Sequence, residues 1–495
     1  MKYSVLTESV IPVVYPDGRT NELGIRCVFE QAHEIKDIGG STPMERYALM
    51  RLLIAFAMDM LHPEDGFERQ ELLEIGQFDM DAFDEYINLC EADGPRFDLF
   101  DEKHPFMQAR YDAAQDTEPK GVANLFQELP TGNNHMFFDH RYEDDHAVSP
   151  ARAFRAMCAL YVFATPVGAQ KYPSGVNNTS PLYAMIVGDT LFKNIVLNML
   201  SEAECGNMVY GQGLVPWRLD CVIVPKKEYA EVTVLEALTW QPRRITFVAE
   251  MNGFIKSVYL KQGKDFKGNK LWVDPYVPYR RKKDGDYASI KPEMGRALWR
   301  DAGALTLDVD ARYGRQPTVI RCLENVLNID EKWVCVRTMG LVTNNGSLLE
   351  WVESELSIPA CLLKQAEAAD LFRMGINGIE QMYRDLYRAV AKHLTETAAL
   401  QAGNVFLGLG HELLFGELLE KINGMSCEEI TESVIEEYLA EYEKLIRQLI
   451  RQVIETVVRR TGDSAREMEK QISAEKEIWM RCSNYMKERR ESYNG

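Results

Sequence analysis

The sequence predicts an α+β protein: a mixed N-terminal domain with small β-sheets and helices, residues 1–360, followed by a C-terminal four-helix bundle, residues 361–495. Three observations lead there. Short runs rich in β-branched and aromatic residues, bounded by Gly, Pro or charged turns, dominate from 230 to 350. After Pro359 the apolar period changes to 3.6. Apolar residues make up 46% of the 495 residues and aromatics 10%, enough for large buried cores.

Taken in order, YSVLTESVIPVVYPDGRTNELGIRCVFE alternates apolar and polar residues and breaks at Pro16-Asp17-Gly18, a hairpin signal. Thr42-Pro43-Met44-Glu45 then opens a helix: Thr42 suits the N-cap, Pro43 the first turn, and Glu45 follows three residues after the cap. SPARAFRAMCALYVFAT, 149–165, starts with Ser-Pro and has helical spacing; it runs into a loop, 166–181, and then a second apolar segment, 182–200. RRITFVAEM, FIKSVYL, TVIRCLENVL and KWVCVRTMGLV read as strands. The C-terminal pattern predicts helices over 362–400, 409–422, 427–461 and 464–490, the third opened by a Ser426/Glu429 capping box and stopped near Gly462. A helix of about 35 residues spans about 50 Å, and short loops to its neighbours favour a bundle over a helical tail packed on the main domain.

Charge and cysteine usage narrow the class. The net charge is −19, against the basic footprint of a free nucleic-acid binder. Between Arg243 and Arg300, however, fourteen Lys/Arg face six Asp/Glu, a local excess of eight positive charges, so the rest of the chain carries −27. Ten cysteines are scattered with no C-x-x-C pair, which points to reduced thiols and against a thiolate zinc site. No uncharged apolar run is long enough to span a membrane, and MKYSVLTESVIPVVYP lacks the features of a signal peptide, so a cytoplasmic location is expected.

Three stretches could carry chemistry. DHRYEDDH, 139–146, holds metal-competent His140, Glu143, Asp144, Asp145 and His146, and would serve a metal-dependent nuclease or hydrolase. Its spacing matches no standard signature, and such loops are commonly just solvated. His104 and His411 fit packing better than catalysis. No P-loop, G-x-G-x-x-G or G-x-S-x-G occurs, so neither catalytic residues nor a cofactor is assigned. The second stretch, YLKQGKDFKGNKLWVDPYVPYRRKKDGD, interleaves lysines with Phe, Trp and Tyr around Gly turns, as a polyanion contact or as an exposed hairpin with solvated lysines. In the third, RTMGLVTNNGSLLEW, Asn344-Asn345-Gly346 is a common hairpin turn whose amides also suit base edges in a groove. The loop 166–181, with Gly168, Gln170 and Lys171, has the same character.

HPFMQ at 104–108, WQP at 240–242, LW at 271–272 and MGLVTNNGSLLE at 339–350 stand in an order that resembles the CasA family, the large subunit of the type I-E CRISPR surveillance complex Cascade. SGVNNTSP, followed by VGDTLFKNIVLNML, resembles the segment after that family's glycine loop. The resemblance covers nearly the whole chain. It implies a non-enzymatic subunit that recognises the protospacer-adjacent motif (PAM) on double-stranded DNA, largely from the minor groove, helps open the duplex and helps recruit the helicase–nuclease. Its implied partners are the other Cascade subunits, the CRISPR guide RNA, double-stranded target DNA and the helicase–nuclease effector, with no membrane and no cofactor. A scaffold that never touches DNA is the bland alternative.

By position, the resemblance puts Asn344, Asn345 and Gly346 on the family's PAM-facing hairpin. Where the family carries a wedge Gln, this chain has Gly346-Ser347 and a hairpin one residue shorter, which leaves Asn345 or Leu348 as replacements. The family's minor-groove lysine points to Lys261 or Lys264, and its glycine loop to Gly168, Gln170 and Lys171. Phe137 and Asp139 align with a loop that docks the guide RNA 5′ end and the neighbouring backbone subunit. Some relatives carry a cysteine zinc site; this chain lacks the cysteine pairs, and no metal is expected.

Overall fold

A computed structural model describes the chain except residues 130–146, 166–171, 178–179, 226, 269–271, 309–313, 327–331, 345–346, 426–430 and 494–495. The chain divides into two compact units. One comprises 1–298, 313–330 and 335–356; the other 299–312, 331–334 and 357–495. The architecture is the expected α+β: small sheets and helices first, long helices last.

In the first unit, strands β1 (Ile11–Val14) and β2 (Thr20–Leu23) form the antiparallel hairpin read from Pro-Asp-Gly. Helix α1 (Pro43–Leu61) starts where the capping residues place it: the Thr42 hydroxyl accepts from the Glu45 amide at 3.1 Å. Its middle is buried on all sides, so α1 is the spine of this unit rather than a surface helix. Helix α2 (Pro150–Phe163), capped by Ser149, packs along it. Three further elements frame the candidate site. Strand β3 (Tyr183–Val187) follows the 166–181 segment. Strands β4 (Arg243–Ala249) and β5 (Ile255–Gln262) form an antiparallel hairpin. Strands β6 (Trp333–Asn344) and β7 (Ser347–Pro359) form a longer one, whose sheet order is β7-β6-β3. Strand β3 pairs with β6 only through Cys335–Met339, so residues 340–344 run on past the supporting strand as part of a two-stranded ribbon.

One expected strand is not a strand. TVIRCLENVL forms a helical turn, Thr318–Arg321, then a 3₁₀ turn, Cys322–Asn325. Val319, Leu323 and Val326 are all buried, and their spacing is helical; the β-branched residues conceal that period.

The second unit holds four long helical segments. Helices α3 (Ala366–His393), α4 (Glu396–Glu412, continued by a π-helical stretch and a turn to Gly424), α5 (Glu432–Thr456) and α6 (Ala465–Tyr493) pack in a closed ring: α3 and α5 each lie against both α4 and α6. The break between the first two falls at Leu394–Thr395, not in the glycine-rich 400–409 stretch. Thr395 caps the second helix by accepting from Ala398 N at 3.1 Å. Gly403 there serves packing: a Cβ on it would lie 2.6 Å from Cε2 of Tyr383. Residues Ser426 and Glu429 lie outside the described residues. Among the described residues no helix is long and apolar enough to cross a membrane.

Candidate nucleic-acid interface

The basic excess between 243 and 300 is divided between surface and interior. Arg243 and Arg244 are each only 3% exposed. Arg244 pairs with the fully enclosed carboxylate of Asp116 and donates to the Arg110 carbonyl, so it is an internal brace. Lys267 is held by Asp265 at 2.6 Å, and Arg300 by Glu380 within the helical unit. The aromatics of this stretch are largely internal too, with Tyr276 and Phe266 in the core. Exposed to solvent among the described residues are Lys267, Lys291 and the run Arg280, Arg281, Lys282 and Lys283, while Lys261 and Lys264 at the end of β5 are half-buried.

Lys261 lies opposite Arg244 in the β4/β5 ladder. Beyond it the chain turns back along residues 241–243: Gly263 N donates to the Pro242 carbonyl at 3.0 Å and Lys264 N to that of Gln241 at 2.9 Å. Only a glycine fits at 263, because an added Cβ would collide with the Gln241 carbonyl. The Lys264 ammonium rests 5.5 Å from the Trp240 ring and 5.9 Å from Tyr229. Burial pushes its pKa below the ordinary lysine value. Trp240 in turn packs with Phe266 and Val176, so the lysine stands on an aromatic floor to which the 172–181 segment contributes.

That segment links the candidate elements. At its start, Arg243 on β4 binds the carbonyls of both Thr165 and Pro173, and stacks over Tyr172 at 5.1 Å. At Asn177, the amide donates to Asp274 at 2.8 Å and to the Tyr183 hydroxyl at 3.2 Å. Asp274 is itself buried 3.7 Å from the Arg51 guanidinium, which sits among the rings of Tyr47, Tyr183 and Tyr276. At the end, Ser180 Oγ accepts from Leu341 N on β6 at 3.2 Å. Asn344 lies three residues further, about 10 Å along the strand, exposed at the ribbon's end. Residues 172–177 therefore touch the β4/β5 hairpin that carries Lys261 and Lys264, and Ser180 touches the ribbon that ends at Asn344.

Gly168, Gln170, Lys171, Asn345, Gly346, Phe137, Asp139 and the 139–146 loop lie outside the described residues. Leu348 is half-buried, whereas Leu349 and Trp351 on the same strand are 46% and 40% exposed. Sequence reasoning misses these two and also Arg243. An exposed Trp on a strand gives no distinctive pattern, and in composition Arg243 counts simply as one more positive charge. His104 and His411 are packed, as expected: His104 Nδ1 meets Arg96 at 2.9 Å, and His411 stacks between Trp299 and Phe415.

The profile of the family described as CRISPR-associated protein Cse1 matches residues 5–477. The chain belongs to the Cse1 family. The CasA/Cse1 protein of Thermus thermophilus is 24% identical over 447 residues, covering 87% of this chain and 84% of that protein. The crystal structure of Cse1 from Acidimicrobium ferrooxidans superposes with a TM-score of 0.76 at 20% identity, covering 99% of each chain. A chain of a structure titled "CRISPR RNA-guided surveillance complex" superposes with a TM-score of 0.77 at 17% identity, covering 97% of this chain and 99% of that one. The resemblance read from the scattered motifs, to the large subunit of type I-E Cascade, is the family found, and the fold is the Cse1 fold from end to end.

Proposed function

We propose that this Cse1-family chain works within a Cascade complex, beside its other subunits and a guide RNA. There it reads the PAM of double-stranded DNA from the minor groove, promotes opening of the duplex and helps recruit the helicase–nuclease, without cleaving DNA itself. The observation that carries the reading is the 172–181 segment. Its residues 172–177 meet the Lys261/Lys264 hairpin and its Ser180 meets the ribbon ending at Asn344, all within one compact unit. Lysines supply phosphate contacts, and asparagine amides can donate to and accept from base edges. Gly168, Gln170, Lys171, Asn345 and Gly346 complete this proposed surface through the resemblance alone, as do Phe137 and Asp139 for guide-RNA docking. The exposed pair Leu349 and Trp351 gives the ribbon an apolar face of the kind that wedges between base steps and unstacks them. This offers a replacement for the wedge glutamine.

Base analogues test the groove. Inosine in place of guanine removes the minor-groove amino group, whereas 7-deazaguanine alters only the major-groove edge. With the reconstituted complex, minor-groove analogues within the PAM are expected to change affinity by about 1–3 kcal/mol per position, and major-groove analogues to have little effect. The opposite pattern sinks the reading.

A further inference from the structure

We infer that Arg243 is a positioning residue: it clamps Thr165, Tyr172 and Pro173 to the strand pair that carries Lys261, and so fixes where residues 172–177 lie beside that hairpin. The DNA part of this inference rests on the function proposed above; the clamp does not.

The chemistry of the guanidinium is what makes the clamp. It is planar and offers five donors in a fixed fork. Nη2 donates to the Thr165 carbonyl at 2.8 Å, and Nη1 to the carbonyls of Pro173 and, at 3.2 Å, Pro242. Thr165 and Pro173 stand eight positions apart in the sequence, and Pro242 is the residue before Arg243 itself. The flat face lies over Tyr172, whose hydroxyl accepts from Lys120 Nζ at 3.0 Å. The two stretches around Thr165 and Pro173 are closed on each other as well, with Gly175 N donating to the Ala164 carbonyl at 3.1 Å. Arg243 lies opposite Gln262 in the ladder, one residue from Lys261.

The contrast with the next residue shows that this is more than charge storage. Arg244 is buried to the same degree but neutralised by Asp116. Among the described residues no carboxylate pairs with Arg243, and burial pushes its pKa down to about 10. A buried cation held only by carbonyls and a ring is costly. All of its hydrogen bonds go to backbone carbonyls, and two of the three tie Thr165 and Pro173 to β4. A lysine keeps the charge but cannot span the carbonyls or stack in the same way.

The test uses the full-length chain and the reconstituted complex. Arg243→Lys and, as a second route that leaves the buried cation in place, Tyr172→Ala are compared with Lys261→Ala. Amide hydrogen exchange without DNA is expected to rise about tenfold or more at 164–165 and 172–176 in the first two, with the β1/β2 hairpin unchanged and no rise in Lys261→Ala. Affinity for a PAM duplex is expected to fall about five- to tenfold in Arg243→Lys with the salt slope intact, because no phosphate contact is lost; Lys261→Ala lowers the slope by about one. Unchanged exchange at 164–165 and 172–176 in both clamp variants overturns the clamp. Raised exchange with normal duplex affinity, while Lys261→Ala still weakens binding, overturns the positioning role. Silence of both Arg243→Lys and Lys261→Ala in binding points instead at the DNA reading, and takes the positioning role with it.

Discussion

Two groups of basic residues lie within 60 positions of each other and do opposite things. Arg243 and Arg244 open β4 and are almost wholly enclosed; Arg281, Lys282 and Lys283 sit on a turn in open solvent. In composition they contribute alike to the local positive excess. In the fold, the first pair holds backbone and a buried carboxylate in place, and only the second adds to the surface field. Placement, not the count of lysines and arginines, decides which charges can reach a partner. The proposed DNA contact at the half-buried Lys261 and Lys264 rests on the resemblance, and the exposed turn RRKKDGD is its competitor.

The largest effect expected is structural. Arg244→Ala leaves Asp116 enclosed without its counter-charge, and should cost about 3–5 kcal/mol in urea unfolding. A loss below about 0.5 kcal/mol, typical of surface sites, would put Arg244 with the solvated group and break the comparison.

Next comes a placed charge in the helical unit. Glu477 on α6 accepts from Lys392 at 2.8 Å, Arg481 at 2.7 Å and His393 at 2.7 Å. The Lys392, Arg481 and His393 bonds, in that order, pull its pKa down from 4.5 to about 2. A lowered carboxylate pKa means that its stabilisation is present above the unfolded value near 4.5 and is lost as pH falls through about 2. Glu477→Gln should therefore lower stability at neutral pH by about 1–3 kcal/mol, and flatten the decline of stability between those two pH values. An unchanged acid profile would show that the cluster is solvated after all.

A smaller change, but on function, is expected at Lys261. Lys261→Ala should weaken duplex binding several-fold and reduce the salt slope by about one, with unfolding unchanged. The smallest is Lys282→Ala with Lys283→Ala: stability within about 0.5 kcal/mol and a lesser loss of duplex affinity than Lys261→Ala. Should the turn variants lose more, composition would be the better guide.

Much of the fold could be read from local chemistry. Thr42-Pro43 and Ser149-Pro150 announce their helices because a cap needs only neighbouring residues. The Pro-Asp-Gly hairpin and the change of period after Pro359 are local in the same sense. The misreadings have long-range causes. TVIRCLENVL looks like a strand until burial picks out its helical face. The break at Thr395 is hidden because nearby Gly403 answers to Tyr383 on another helix. In the candidate site, the two lysines are reachable through the resemblance. Arg243 is not, because two of its three carbonyl partners, Thr165 and Pro173, lie 78 and 70 residues earlier and the third, Pro242, beside it. No spacing rule encodes that meeting.

The most direct measurement of the central claim is the affinity of the reconstituted complex for matched duplexes with and without a PAM, over a range of salt. It would compare Lys261→Ala/Lys264→Ala with Asn344→Ala/Asn345→Ala. The account predicts that the lysine pair weakens both duplexes and flattens the salt dependence, while the asparagine pair erases the preference for the PAM and leaves the salt dependence alone. Full affinity and full preference in both double variants would contradict it.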